Sequence, residues 1–422
     1  MSTQPNDSQA EIFERLESEV RSYCRNWPVV FDRASGCEQT TEDGVTYLDF
    51  FSGAGALNYG HNNPVLKQAM LDYFSEDRVI HSMDMFSVAK RTFLHQFEDI
   101  ILKPRNMNYR VMFTGPTGTN AVESALKLAR KVTDRTQVVS FVNAFHGMTL
   151  GSLAVTGNEM KRQGAGIALH HTTVAPYDDY LDHDGHDFDW LRRVWSDAGS
   201  GIDLPAAVIV EAVQGEGGLN AARLEWLRQL GQLCKEFDVK LILDDIQAGC
   251  GRTGTFFSWE EAGIEPDMIT LSKSLSGLGL PMAIVLLKPE LDAWQPGEHN
   301  GTFRGFNPAF ITATAALEEY WRDDSFAATV RERSAQLKAG LEKIAEEHGA
   351  ASYRGRGLLA GIGFETPELG KAVATEAFER KLLVETCGAQ DEVVKTMPPL
   401  TISSEDLQRG IDILADAVKA VA

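Results

Sequence analysis

The sequence predicts an α/β fold built on a mostly parallel sheet covered by helices. Three observations carry that expectation. Between about residues 61 and 310, short apolar runs alternate with helical patterns, as in chains of strand–helix–strand units. The runs read as strands buried inside such a sheet. Four of them end in polar residues of catalytic type, and in an open α/β sheet ligands bind beyond the carboxyl ends of the strands.

Residues up to about 60 read as a polar tail, a short helix over 10–23, a turn at Thr41-Glu42-Asp43-Gly44 and a strand over 45–50. Strands follow at 111–113, 138–142, 206–210, 241–243, 268–271 and 283–287. Helices such as 120–132 and 224–236 lie between them. Beyond about 310 the pattern turns helical, then βαβ-like. A last helix starts near Ser403, with Asp406 three residues on as a capping box. The organisation expected is an N-terminal segment (1–60), a large domain (61–310) and a C-terminal part (311–422), without internal repeats.

Composition narrows the function. The 422 residues carry 40 Lys+Arg against 60 Asp+Glu, a formal charge of −20. That disfavours nucleic acid and anionic membranes as partners. It fits either a solubility device or life at high salt. The five cysteines, Cys24, Cys37, Cys234, Cys250 and Cys387, are scattered and contain no C-x-x-C pair. A reducing compartment is expected, without a disulfide framework or zinc site. No signal peptide and no membrane-length apolar stretch is visible, so a cytoplasmic location is expected.

The strand ends carry the chemistry. Phe113 leads into Thr114-Gly115-Pro116-Thr117-Gly118-Thr119, Val210 into Glu211, Leu243 into Asp244-Asp245, and Leu271 into Ser272-Lys273. Lys273 sits among small residues, as a Schiff-base lysine must to admit a flat cofactor. Asp244, on the preceding strand, suits the ring nitrogen of a pyridoxal cofactor, whose protonated ring is an electron sink. The run 113–130 joins a strand to a helix through glycines and threonines, giving backbone N–H groups for a phosphate without the Gly-Lys-Ser/Thr of a P-loop. Gly53-Ala54-Gly55 is only a partial dinucleotide fingerprint and reads as a turn. The cluster Asp178, Asp179, Asp182, His183, Asp184, His186 and Asp187 matches no metal template and reads as a solvated loop.

Together these residues resemble the class III, or ω-amino acid, aminotransferases of the pyridoxal phosphate fold-type I superfamily. The likeness runs from about residue 28 to 420. It rests on FHG at 145–147, VEAVQGEGG at 210–218, DDIQAGCGRTG at 244–254, LSK at 271–273 and GTFRG at 301–305. It implies pyridoxal 5'-phosphate as cofactor, a large domain with a seven-stranded-type sheet, and a smaller α+β domain drawn from both termini. It implies that Lys273 holds the cofactor and shuttles protons, and that Asp244 faces the pyridine nitrogen. Gln247 would bond the ring-oxygen region, Phe145 would stack on the ring, and Gly118 and Thr119 would bind the phosphate. Thr302 would reach the phosphate of a neighbouring subunit, so at least a homodimer is implied. Glu216 resembles the family's switching glutamate, whose partner is an arginine; here that position is Lys395.

The segments DFFSGAGALNYGHNNP, AFHGMTLGSLAVTGN and PGEHNGTFRG are most similar to the branch that passes nitrogen from glutamate to aspartate 4-semialdehyde on the way to ectoine, a compatible solute of halophiles. Alternatives are a transaminase of 4-aminobutyrate, ornithine or acetylornithine, and an aminomutase. Departures from the family are Lys395, Asp245 for Glu, Met148 for Arg, Val122 for Asn and Phe306 for Asn. With Lys395 in place of the arginine, carboxylate binding could also fall to Arg252, Arg304 or Arg356.

Overall fold

The apolar runs become the strands of one sheet. A computed structural model describes residues 7–181, 188–349 and 351–421. Its largest sheet has seven strands in the order Arg110–Phe113, Ile284–Leu287, Met268–Leu271, Lys240–Asp244, Ala207–Val210, Val138–Phe141, Thr172–Ala175. Only Ile284–Leu287 runs antiparallel to its neighbours. Every residue of Val138–Phe141, Ala207–Val210, Met268–Leu271 and Ile284–Leu287 is buried. Burial on both faces explains why these strands lack polar alternation, and each large apolar side chain so buried contributes roughly 1.5–3 kcal/mol.

Helix Gly118–Thr133 shows how the sheet is covered. Its buried face is Ala121, Val122, Ala125, Leu126, Leu128 and Ala129, while Arg130 and Lys131 in the last turn complement the helix dipole. Asp134 ends it in the left-handed conformation. Val122 is fully buried in this face, where an amide side chain would need a hydrogen-bonding partner.

Both ends of the chain share a second sheet. Leu382–Leu383 pairs in parallel with Thr46–Asp49, which continues to Glu38–Thr41 and Phe31–Ser35. A third sheet, antiparallel, contains Ala351–Arg356, Leu359–Phe364, Val393–Thr396 and Glu385–Cys387. The last helix, Ser404–Val421, begins as expected: Ser403 Oγ accepts the Asp406 N–H at 2.9 Å.

Two elements differ from the sequence reading. The first helix is Asp7–Leu16 and does not reach residue 23; a separate turn of helix covers Tyr23–Asn26. Ser18 breaks it by taking the Val20 N–H on its hydroxyl, a local bond that competes with the helix. Strand Thr172–Ala175 gave no apolar run because it is an edge strand with only Ala175 fully buried. No helix among the described residues is long and apolar enough to cross a membrane. Of the acidic cluster, 182–187 lie outside the described residues. Asp178 is buried and grips Arg223 at 2.6 Å, and the described residues contain no group of three metal-ligating side chains.

Candidate active site

The carboxyl ends of the central strands surround a cavity of about 190 Å³. Gly118, Thr119, Phe145, Asp244, Gln247 and Lys273 all border it, as does Glu216. The sheet makes this convergence: Asp244 ends one strand, and Lys273 follows the strand paired with it in parallel. Thr302 does not border the cavity. It lies exposed in the turn Thr302–Gly305, its carbonyl 2.6 Å from His81 Nε2.

Asp244 is buried and held by three donors. Thr270 Oγ1 and the Ile246 N–H donate to Oδ1 at 3.0 and 3.2 Å, and His146 Nδ1 donates to Oδ2 at 2.7 Å. His146 is a site residue that the sequence reading quoted only as part of a motif. Its burial disfavours the cation, but the Asp244 bond and charge outweigh that and raise its pKa. Its Nε2 is buried with no hydrogen-bond partner among the described residues. Glu211, also bordering the cavity, takes the Phe145 N–H at 3.0 Å; burial pushes its pKa up to about 8, partly opposed by His146.

Lys273 adopts a positive φ of 50° and borders the cavity. Nζ donates to the Ala54 carbonyl at 3.1 Å, and Gln247 Nε2 donates to the same oxygen at 3.1 Å. Burial lowers the Lys273 pKa and the nearby Lys395 lowers it further, with Glu216 opposing. The Gly53-Ala54-Gly55 stretch thus has a place in the site. All three residues take positive φ, turning the Ala54 carbonyl toward the lysine. The signal was the Gly-Ala-Gly string itself, which reads as a turn without saying what the turn serves.

Lys395 is fully buried and lies 2.7 Å from Glu216 Oε1 and 3.0 Å from Glu385 Oε1. Burial would raise the Glu216 pKa, but the Lys395 and Lys273 charges hold it at about 2. Gln247 adds a bond to Glu216 Oε1 at 3.2 Å. The three arginines considered as carboxylate binders are engaged elsewhere. Arg252 binds Asn58 and the Leu358 and Pro398 carbonyls. Arg304 binds the His299 carbonyl and Asn300, and Arg356 the Ser258 and Ala222 carbonyls.

The cavity also borders the start of helix Gly118–Thr133, where a Thr117–Asn120 capping box takes the Asn120 N–H and the Gly118 and Thr119 N–H groups have no acceptor within the helix. A Cβ at Gly118 would lie 2.8 Å from Ile246 Cδ1 and 3.1 Å from its Cγ2, so a larger residue here would press on Ile246. Phe145 carries Lys161 Nζ 4.4 Å from its ring centroid.

Comparison with known proteins agrees with this geometry. The model of the family described as aminotransferase class-III matches residues 21–418. This chain belongs to the class-III aminotransferases. It is 60% identical to a diaminobutyrate–2-oxoglutarate transaminase of Streptomyces anulatus, over 97% of this chain and 98% of the relative. It is 55% identical to a protein of the same name from Halalkalibacterium halodurans, over 97% of this chain and 96% of the relative. Among solved structures it resembles a Bacillus anthracis aminotransferase (TM-score 0.86, 23% identity, 100% of each chain). It also resembles the ornithine aminotransferase of Toxoplasma gondii (TM-score 0.84, 24% identity, 100% of this chain and 96% of that one). At those identities the structures establish the fold alone, the pyridoxal phosphate-dependent fold type I.

Class-III aminotransferases use pyridoxal phosphate, and the residues present fit it in kind. An open helix N-terminus suits its phosphate, a buried carboxylate its basic ring nitrogen, and a lysine its aldehyde, all around one cavity.

Proposed function

We propose that this aminotransferase moves the amino group of L-glutamate to L-aspartate 4-semialdehyde, giving L-2,4-diaminobutyrate and 2-oxoglutarate, the first step of ectoine biosynthesis. The observation that carries this reading is the Glu216–Lys395 pair beside Lys273. A buried cation covered by a removable carboxylate lets one site accept two chemically different substrates in turn. With Glu216 in place, Lys395 is covered and offers no free cation to diaminobutyrate. With Glu216 turned away, Lys395 is free to take a glutamate carboxylate. The full-length similarity to proteins named for this reaction supports the same substrates.

The roles follow from position. Pyridoxal phosphate supplies the electron sink that makes the substrate C–H bond acidic. Lys273 Nζ, whose pKa burial lowers, removes and returns that proton. Asp244 holds the positive charge of the ring nitrogen, and His146 fixes the carboxylate's orientation. Phe145 would pack on the ring when the cofactor is bound, and Gln247, which bonds Glu216, would support the ring-oxygen side. Gly118 and Thr119 donate N–H groups to the phosphate.

Thr302 completes the phosphate site of a second copy, making a homodimer the smallest working unit. Beside it Phe303, Met85 and Phe86 expose 62%, 60% and 104% of their surface, an apolar patch suited to burial between protomers. We place the enzyme in the cytoplasm, where its five cysteines, all unpaired, remain reduced. The charge of −20 suits a cell that accumulates a compatible solute.

A tracer tests the reaction. With [15N]glutamate and aspartate semialdehyde, label should appear at the terminal nitrogen of diaminobutyrate, with one 2-oxoglutarate formed per product. Conversion of the semialdehyde to its unlabelled isomer 4-amino-2-oxobutyrate, with no 2-oxoglutarate formed, would indicate an aminomutase and overturn the reading.

A further inference from the structure

Lys395 has two carboxylate partners, and the fold treats them differently. Glu216 projects from the turn between Val213–Gln214 and Asn220–Ala221, is 21% exposed at its side chain, and borders the cavity. Glu385 stands on strand Glu385–Cys387, directly opposite Lys395 in the antiparallel register, and is 4% exposed. Its Oε1 forms an ion pair with Lys395 at 3.0 Å, and its Oε2 accepts the Tyr23 hydroxyl at 3.2 Å. Two strands of one sheet therefore fix the Lys395–Glu385 pair, while Glu216 sits on the element that can turn away.

We propose that Glu385 sets the substrate preference of this site: its carboxylate, fixed against Lys395, is a standing negative charge that penalises a second substrate carboxylate at that lysine. The inference rests on the proposed function, in which Glu216 yields Lys395 to glutamate. A lysine is a point charge with three N–H donors, so it can serve a fixed and an exchangeable carboxylate together. Glu385 keeps the buried lysine from being left an unpaired buried charge when Glu216 leaves. The same charge repels the incoming anion. Glutamate carries one more carboxylate than diaminobutyrate, so the repulsion falls on glutamate. The charged and titratable groups facing Glu385 are Lys395, Glu216, Lys273, Tyr23 and the buried thiol of Cys387. Burial raises its pKa, Lys395 opposing and Glu216 adding to the rise. Its charge, and hence the penalty, grows as pH rises.

The test uses the cofactor-loaded enzyme and two unreactive probes of equal chain length, glutarate with two carboxylates and valerate with one. Calorimetry gives the ratio of their affinities in wild type and in Glu385→Gln, which keeps the shape and removes the charge. We expect the variant to shift the ratio toward glutarate by roughly tenfold or more. In wild type the ratio should move against glutarate with rising pH, and in the variant it should stay flat. An unchanged ratio, or a flat wild-type profile, overturns the role of Glu385. If the variant does not fold, the wild-type profile decides alone. Should glutamate still convert the bound cofactor while the ratio stays unchanged, only this inference falls. Should glutamate fail to react with wild type, the proposed function falls with it.

Discussion

Lys273→Ala is expected to fold with the wild-type melting temperature and to lose turnover by at least about 10³-fold, the range of a missing proton-transfer group together with a missing covalent anchor. The size follows from how the site is built. Lys273 borders the cavity opposite Asp244, and burial holds its pKa below the ordinary lysine value. Its loss removes the base without disturbing the core, because among the described residues the one hydrogen bond of its side chain is to the Ala54 carbonyl. Added methylamine should restore part of the activity. Thermal unfolding and steady-state rates, measured on one preparation, check both halves. A variant with a normal rate would contradict the assignment of the base.

Lys395→Met should be costly in a different way. Methionine matches the length of the stem but leaves Glu385 on the sheet and Glu216 on its turn with no cation between them. Breaking a buried ion pair from one side destabilises by about 3–5 kcal/mol. The pH dependence gives the sign. Lys395 holds the Glu216 pKa at about 2, below its ordinary 4.5. That contribution is fully present above the ordinary value and is lost as pH falls toward the lowered one. The gap between wild type and variant should therefore be widest near neutral pH and narrow on acidification below about pH 4.5. Urea unfolding across that range measures it. A constant gap would mean that the lysine is not the cause of the lowered Glu216 pKa.

These residues also show what a linear sequence reveals. The buried strands were legible because burial on both faces writes itself as an unbroken apolar run. Lys273, Asp244 and the Gly118–Thr119 turn were legible for a related reason: polar residues directly after such runs mark one end of a parallel sheet. The edge strand Thr172–Ala175 was not, since exposure erases the run. His146 and Glu385 matter through partners far away in sequence. His146 meets Asp244 across 98 positions, and Glu385 meets Lys395 through strand register. Ala54 contributes a carbonyl, which every residue has, so only the folded backbone shows its place. Thr302 and Glu216 were expected from resemblance. The fold puts Glu216 on Lys395 and leaves Thr302 exposed on the apolar face where a second copy is proposed to dock.

The central claim is that this site exchanges nitrogen with diaminobutyrate and glutamate through one lysine. The most direct measurement is the half-reaction: stopped-flow loss of the bound cofactor's visible absorbance on mixing loaded enzyme with a single amine and no acceptor. Diaminobutyrate and glutamate should each bleach it rapidly, 4-aminobutyrate and ornithine far more slowly, and 2-oxoglutarate should restore it. Equal or faster bleaching by 4-aminobutyrate or ornithine would contradict the account and place the enzyme elsewhere among the class-III aminotransferases.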